Sequence, residues 1–192
     1  MGSGPVCPSC QRELRTGPLR RLESGLLVAA AFRHGSTARQ LVRALKYRGA
    51  TAAGVLLAGA MASLVPAGIK TLVPVPRVWL RSWRYGIDGA SWLATNVGKS
   101  LGLKVEHCLE APFWAPPQAG TPRSDRRAGG FRLRHLPPSR VVLIDDVVTT
   151  GGTLEAAAEA LHGRVVMAVT ATAAPGEAVS VDGRSAPAER KV

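Results

Sequence analysis

Residues 141–153, Val-Val-Leu-Ile-Asp-Asp-Val-Val-Thr-Thr-Gly-Gly-Thr, constrain this chain more than any other stretch. Four apolar residues in succession, Val141 to Ile144, predict a strand buried on both faces, as in a parallel sheet covered by helices. Asp145 and Asp146 follow at its carboxyl end, where open α/β sheets bind ligands. The Thr/Gly-rich turn then opens a helix, so backbone N–H groups and the helix dipole face an anion. The predicted cradle runs from Val148 through Thr149, Thr150, Gly151 and Gly152 to Thr153, with the three threonines adding hydroxyl donors. The carboxylates are unsuited to phosphate itself, so they must face sugar hydroxyls or a hydrated Mg²⁺. Two adjacent acids alone would fit an ordinary strand-end turn; the Thr-Thr-Gly-Gly-Thr that follows points to an anion site. A phosphate cradle beside a diol-binding acid pair describes a ribose 5-phosphate pocket. The Gly-Lys-Ser/Thr ending of the nucleotide-binding P-loop is not present in this turn.

The rest of the chain supplies a matching frame. Leu26 to Phe32 reads as a buried strand, and Ser36 or Thr37 is positioned to cap a helix running to about Tyr47 and ended by Gly49. Leu41, Val42 and Leu45 mark its apolar side; Arg39, Arg43 and Lys46 recur at i, i+4 and i+7 on the other face. An Ala-rich helix follows, with Leu57, Met61 and Leu64 at helical spacing and Gly54 and Ala58 as small neighbours. Thr71 to Val75 is a short strand, Asp88 caps a helix through about Ser100, and Leu103 to Leu109 is a further strand. Residues 110–130 form a long loop without periodicity, Thr153 to Leu161 a helix, and Arg164 to Thr172 a β-branched strand. Strands alternating with helices predict an α/β fold with an open, mostly parallel sheet flanked by helices. The expected organisation is a polar appendage over residues 1–24, one domain over 25–174, and a flexible tail over 175–192.

Charge narrows the partners. Lys and Arg total 25 against 13 Asp and Glu, a net charge of +12. Arg suits bidentate phosphate contact, so polyanions are the expected ligands. Residues 77–92 interleave Arg77, Arg81 and Arg84 with Trp79, Trp83, Tyr85 and Trp92. Such a track suits single-stranded DNA, where bases stack and phosphates pair with Arg; the same tryptophans also have the i, i+4 spacing of core residues. His34, His107, His135 and His162 show no pairing in sequence that would mark a general base.

Cys7 and Cys10 form a Cys-Pro-Ser-Cys pair, and Cys108 stands alone. Structural zinc takes four ligands, and no second Cys pair follows, so the pair is either a vestigial knuckle or a zinc site completed from elsewhere. Three cysteines fit a reducing, cytoplasmic setting. Thr51 to Ile69 carries no charge, but its Ala/Gly composition and Pro66 argue against insertion in a membrane.

The 141–153 block resembles the 5-phosphoribosyl 1-pyrophosphate (PRPP) signature of type I phosphoribosyltransferases. From about Ala30 to Leu161 the chain is similar to the ComF-like branch, associated with bacterial competence. The likeness rests on Leu45-Lys46-Tyr47-Arg48-Gly49, Val73-Pro74-Val75-Pro76, the Arg81/Arg84/Gly86 loop, Gln118-Ala119-Gly120 and the Arg123, Arg126, Arg127 cluster. The resemblance implies transfer of phosphoribosyl from PRPP with Mg²⁺, Asp145 and Asp146 acting at the ribose. It places Arg81 and Arg84, then Lys46 and Arg48, at the pyrophosphate, and Gln118, Arg123, Arg126 and Arg127 on a closing loop. It also implies a role in DNA uptake, a homodimer or competence-machinery partner, and a zinc knuckle begun by Cys7 and Cys10. The chain departs from the family at Tyr85-Gly86-Ile87-Asp88-Gly89, where an Arg and two amides are expected, and in a shortened closing loop. Those departures leave open a PRPP sensor without turnover.

Overall fold

The computed structural model describes residues 6–77, 87–111 and 130–175. A short helix α1 (Pro8–Glu13) and strand β1 (Leu19–Arg21) come first, then β2 (Leu27–Arg33), α2 (Ser36–Arg48) and α3 (Thr51–Ala62). Next are β3 (Thr71–Pro74), α4 (Gly89–Leu101), β4 (Lys104–Val105), β5 (Leu109–Glu110) and β6 (Arg132–Leu133). The last elements are β7 (Val141–Val148), α5 (Gly152–Ala160) and β8 (Val165–Ala173). The main sheet has the order β1-β2-β8-β7-β3-β4. Its strands run parallel except β1, which pairs antiparallel with β2.

Alternation along the central strands sorts the core into two layers. Val142 and Ile144 of β7, with Ala29, Leu72 and Val169, pack against Leu45, Leu57, Met61 and Leu93 of α2, α3 and α4. Val141 and Leu143, with Val28, Val73 and Ala168, pack against Leu154, Ala157 and Leu161 of α5. A strand covered on both faces has no polar positions, which is why residues 141–144 are apolar without interruption.

The helices form largely where the spacing predicts. Asp88 caps α4, its carboxylate accepting from the Ser91 N–H at 3.4 Å and the Ser91 hydroxyl at 2.6 Å. Gly49 closes α2 with φ 61°, a left-handed conformation that a side chain would strain. Ser36 and Thr37, however, do not cap α2. Gly35 takes that position, and both hydroxyls donate to Glu13 Oε2 at 2.9 and 2.6 Å, which ties α1 to the start of α2.

Three stretches differ from their sequence reading. Residues 103–109 do not form one strand. β4 pairs with β3 for two residues, the chain then leaves the sheet edge around buried Cys108, and β5 pairs with β6 in a separate hairpin. The β7 strand continues past Ile144 to Val148, because Asp145 and Val147 pair with Thr170 and Thr172 of β8. The N-terminal residues expected as an appendage are built into the domain: Leu19, Arg20 and Arg21 of β1 pair with Ala29, Val28 and Leu27. Among the described residues no helix is long and apolar enough to cross a membrane.

Gly54 shows how closely α3 and α4 approach. A Cβ there would lie 2.3 Å from the Trp92 ring and 2.9 Å from a Leu45 methyl. Overpacking of this kind costs about 1–3 kcal/mol, against about 1 kcal/mol that Ala otherwise gains over Gly in a helix. Gly54→Ala is therefore expected to lower the urea unfolding midpoint; an unchanged or raised midpoint would mean that Trp92 moves aside at little cost.

Candidate functional site

Asp145 and Asp146 are consecutive in a strand, so they project to opposite faces of the sheet. Asp146 follows Ile144 onto the face of α2 and α4, where it meets Gly89 and Lys46. The two carboxyl groups share Lys46 and Arg77 as charged neighbours, but the direct ion pairs are made by Asp146.

Asp146 is 6% exposed and holds two cations on one oxygen. Lys46 Nζ lies 2.6 Å from its Oδ2 and an Arg77 guanidinium nitrogen 3.2 Å from the same atom. The contact depends on Gly89, the first residue of α4. A Cβ there would lie 2.7 Å from Asp146 Oδ2 and 3.5 Å from Lys46 Cε. The N-terminal end of α4 thus reaches the carboxylate with no side chain between, and its dipole favours the negative charge.

Asp145 Oδ1 accepts from the Asp146 backbone N–H at 2.7 Å. Burial, and then the charge of Asp146, push its pKa up to about 8, so at neutral pH it is the protonated member of the pair. One acid can donate a hydrogen bond while the other accepts, a combination suited to a vicinal diol.

The turn after β7 has the expected form. Gly151 caps α5 with φ 91°, and Thr149, Thr150, Gly152 and Thr153 are exposed. The first N–H groups of α5 have no carbonyl partner within the helix and face outward as donors. Val148 takes no side-chain part in this cradle. It is the last residue of β7, 2% exposed, with its side chain in the core and its carbonyl accepting from the Ala174 N–H at 2.8 Å.

Two further residues lie elsewhere than the sequence suggests. Lys46 leaves the exposed Arg39/Arg43 face and turns to Asp146, because the C-terminal end of α2 passes Gly89. Arg77, assigned to a nucleic-acid track, is committed to the same carboxylate. Trp92 packs against the helical core beside Gly54, as the core spacing of the tryptophans allowed. Arg48 is exposed at the end of α2. Cys7 and Cys10 lie on and beside α1, and among the described residues no three His, Cys, Asp or Glu side chains gather to hold a metal. Arg81, Arg84, Trp79, Trp83, Gln118, Arg123, Arg126 and Arg127 lie outside the described residues.

One constellation has no sequence signal beyond a Thr late in a β-branched strand. His34 Nδ1 lies 2.8 Å from Thr172 Oγ1, whose hydroxyl donates to the Asp146 carbonyl at 3.4 Å. Burial, then the charges of Arg39 and Lys46, lower the His34 pKa.

The proton on Asp145 has a measurable consequence. Between the ordinary carboxyl range and about 8, the folded protein holds a proton that the unfolded chain has released. Its stability is therefore present at low pH within that window and falls as pH rises through it. Urea unfolding at about pH 5 and about pH 8 is expected to show this fall, and Asp145→Asn is expected to flatten it. An equally steep fall in the variant would place the proton on another group.

Comparison with known proteins follows the same stretch of chain. The phosphoribosyl transferase domain matches residues 49–180, which include Arg77, Asp145, Asp146 and the 149–153 turn and begin three residues after Lys46. Competence protein F of Haemophilus influenzae is 31% identical over 93 residues, 44% of this chain and 41% of that protein. The chain thus spans less than half the length of this relative. A solved structure of UMP synthase from Leishmania donovani aligns with 82% of this chain and 28% of its own, at 20% identity and a TM-score of 0.42. With its family match covering most of the chain and its acid pair and capped turn inside that match, this protein belongs to the phosphoribosyl transferase domain family.

Proposed function

We propose that the chain binds PRPP through its ribose 5-phosphate end and transfers the phosphoribosyl group to an acceptor nitrogen, releasing pyrophosphate. The observation that carries this reading is the adjacency of two unlike carboxyl groups and a Gly151-capped helix start at one strand end. The 5-phosphate sits on the α5 N-terminus with the hydroxyls of Thr149, Thr150 and Thr153. Protonated Asp145 donates to one ribose hydroxyl and Asp146 accepts from the other. In this structure Asp146 is closed by Lys46 and Arg77, so ribose binding has to displace or share at least one of those cations. A cation released there is free to turn to the pyrophosphate, where negative charge builds as the C1–oxygen bond breaks.

The acid pair does not form a closed metal cage, since Asp146 already carries two cations. It fits a hydrated Mg²⁺ that arrives on the pyrophosphate rather than one held by protein ligands alone. Bound Mg²⁺ supplies charge neutralisation at the leaving group. A zinc at Cys7 and Cys10 would need its remaining ligands from a partner or from outside the described residues.

A second reading, binding of PRPP without turnover, is favoured by the commitment of Lys46 and Arg77 to Asp146. Calorimetry with PRPP and Mg²⁺, followed by assay of pyrophosphate release over a panel of nucleobases, separates the two. The Asp145→Asn/Asp146→Asn double variant is expected to weaken PRPP binding about tenfold or more, or about 1.4 kcal/mol. It should leave affinity for single-stranded DNA unchanged. Full PRPP affinity in the double variant would remove the acid pair from the site.

A further inference from the structure

Arg20 is a buried cation without a counter-ion among the described residues. It is the central residue of β1, flanked by exposed Leu19 and Arg21, and only 7% of its surface is exposed. One guanidinium nitrogen donates to the Ala174 carbonyl, and its Nε–H has no partner among the described residues. The charge that acts on it is that of Arg33, another cation, which together with the larger effect of burial lowers its pKa. A charge in such a place is costly unless something compensates it.

Its position says what the compensation is. Arg20 pairs with Val28, so its side chain lies on the sheet face that carries Val28, Val148, Leu154 and α5. Ala174, which it holds by the carbonyl, donates its own N–H to Val148, the residue before the phosphate turn. Two residues along, Leu22 fills the space a side chain on Gly151 would need, its Cδ1 2.5 Å from the position of a Cβ. The Ser24 N–H donates to Glu155 Oε1 at 2.9 Å. The β1–β2 hairpin is thus seated against both ends of the turn, and Arg20 is the charge it brings.

We infer that Arg20 is part of the ribose 5-phosphate site: its guanidinium backs the Thr149–Thr153 turn and meets the charge of the phosphate dianion. The inference rests on the reading of that turn as a ribose 5-phosphate cradle. It gives the N-terminal segment a binding role, although that segment lies outside the residues that match the family.

The test uses Arg20→Met, which keeps length and apolar contact but removes the charge, and Arg20→Gln, which also keeps a donor for the Ala174 carbonyl. Urea unfolding is measured without ligand, and affinity for inorganic phosphate and for ribose 5-phosphate by calorimetry. A merely structural arginine would lose stability on replacement and leave affinity alone. The expected pattern is the reverse: unliganded stability held or raised, with both affinities reduced about tenfold or more. Unchanged affinity in the variants overturns the inference. If Arg20→Met does not fold, Arg20→Gln decides by the same criterion. Parent protein that binds inorganic phosphate but not ribose 5-phosphate removes the PRPP reading, and the phosphate affinities alone then decide Arg20. Parent protein that binds neither overturns both.

Discussion

The 2.6 Å contact between Lys46 Nζ and Asp146 Oδ2 draws together most of the elements around the site. Asp146 can be reached only from the face of β7 that carries α2 and α4, and only if α4 begins without a side chain at Gly89. α2 must end close by, which requires α3 to pack tightly on α4, and Gly54 permits that by admitting the Trp92 ring. Small residues at these two crossings serve the geometry of one carboxylate. A charged group this deeply placed needs such arrangements, because its desolvation must be offset by fixed opposite charge.

The two carboxyl groups differ because a strand alternates. Asp146 meets cations and a helix N-terminus; Asp145 meets its neighbour's charge and a buried setting, and keeps its proton. Strand geometry has divided a repeated residue type into a donor and an acceptor at neutral pH, as a sugar diol requires. His34 extends the polar line across β8 through Thr172, so the carboxyl ends of β2, β8 and β7 are joined by side-chain bonds as well as by the sheet ladder.

The N-terminal segment is structural cover for the phosphate turn. β1 adds an antiparallel edge to the sheet, α1 is tied to α2 through Glu13, and Leu22 lies on Gly151. None of this was legible from residues 6–24, which are polar, basic and too short in their periodic runs to declare a strand or helix. Their structure comes from a hairpin with β2 that is held in place by contacts distant in sequence, with Gly151, Glu155 and Ala174.

What the sequence determined by itself was whatever depends on local pattern. An uninterrupted apolar run marks a doubly covered strand, and Thr-Thr-Gly-Gly-Thr marks the turn that starts a helix; Gly49 and Asp88 mark helix ends by conformation and capping. These signals lie within one element and its first turn. Tertiary structure decided which cations meet which acid, because Lys46, Arg77 and Gly89 converge on Asp146 from three separate segments. It turned Lys46 away from the basic face its helical spacing implied and decided for the core between the two settings open to Trp92. The physical reason is range: hydrophobic period and capping act over a few residues, whereas ion pairing and close packing depend on where the sheet order brings remote residues.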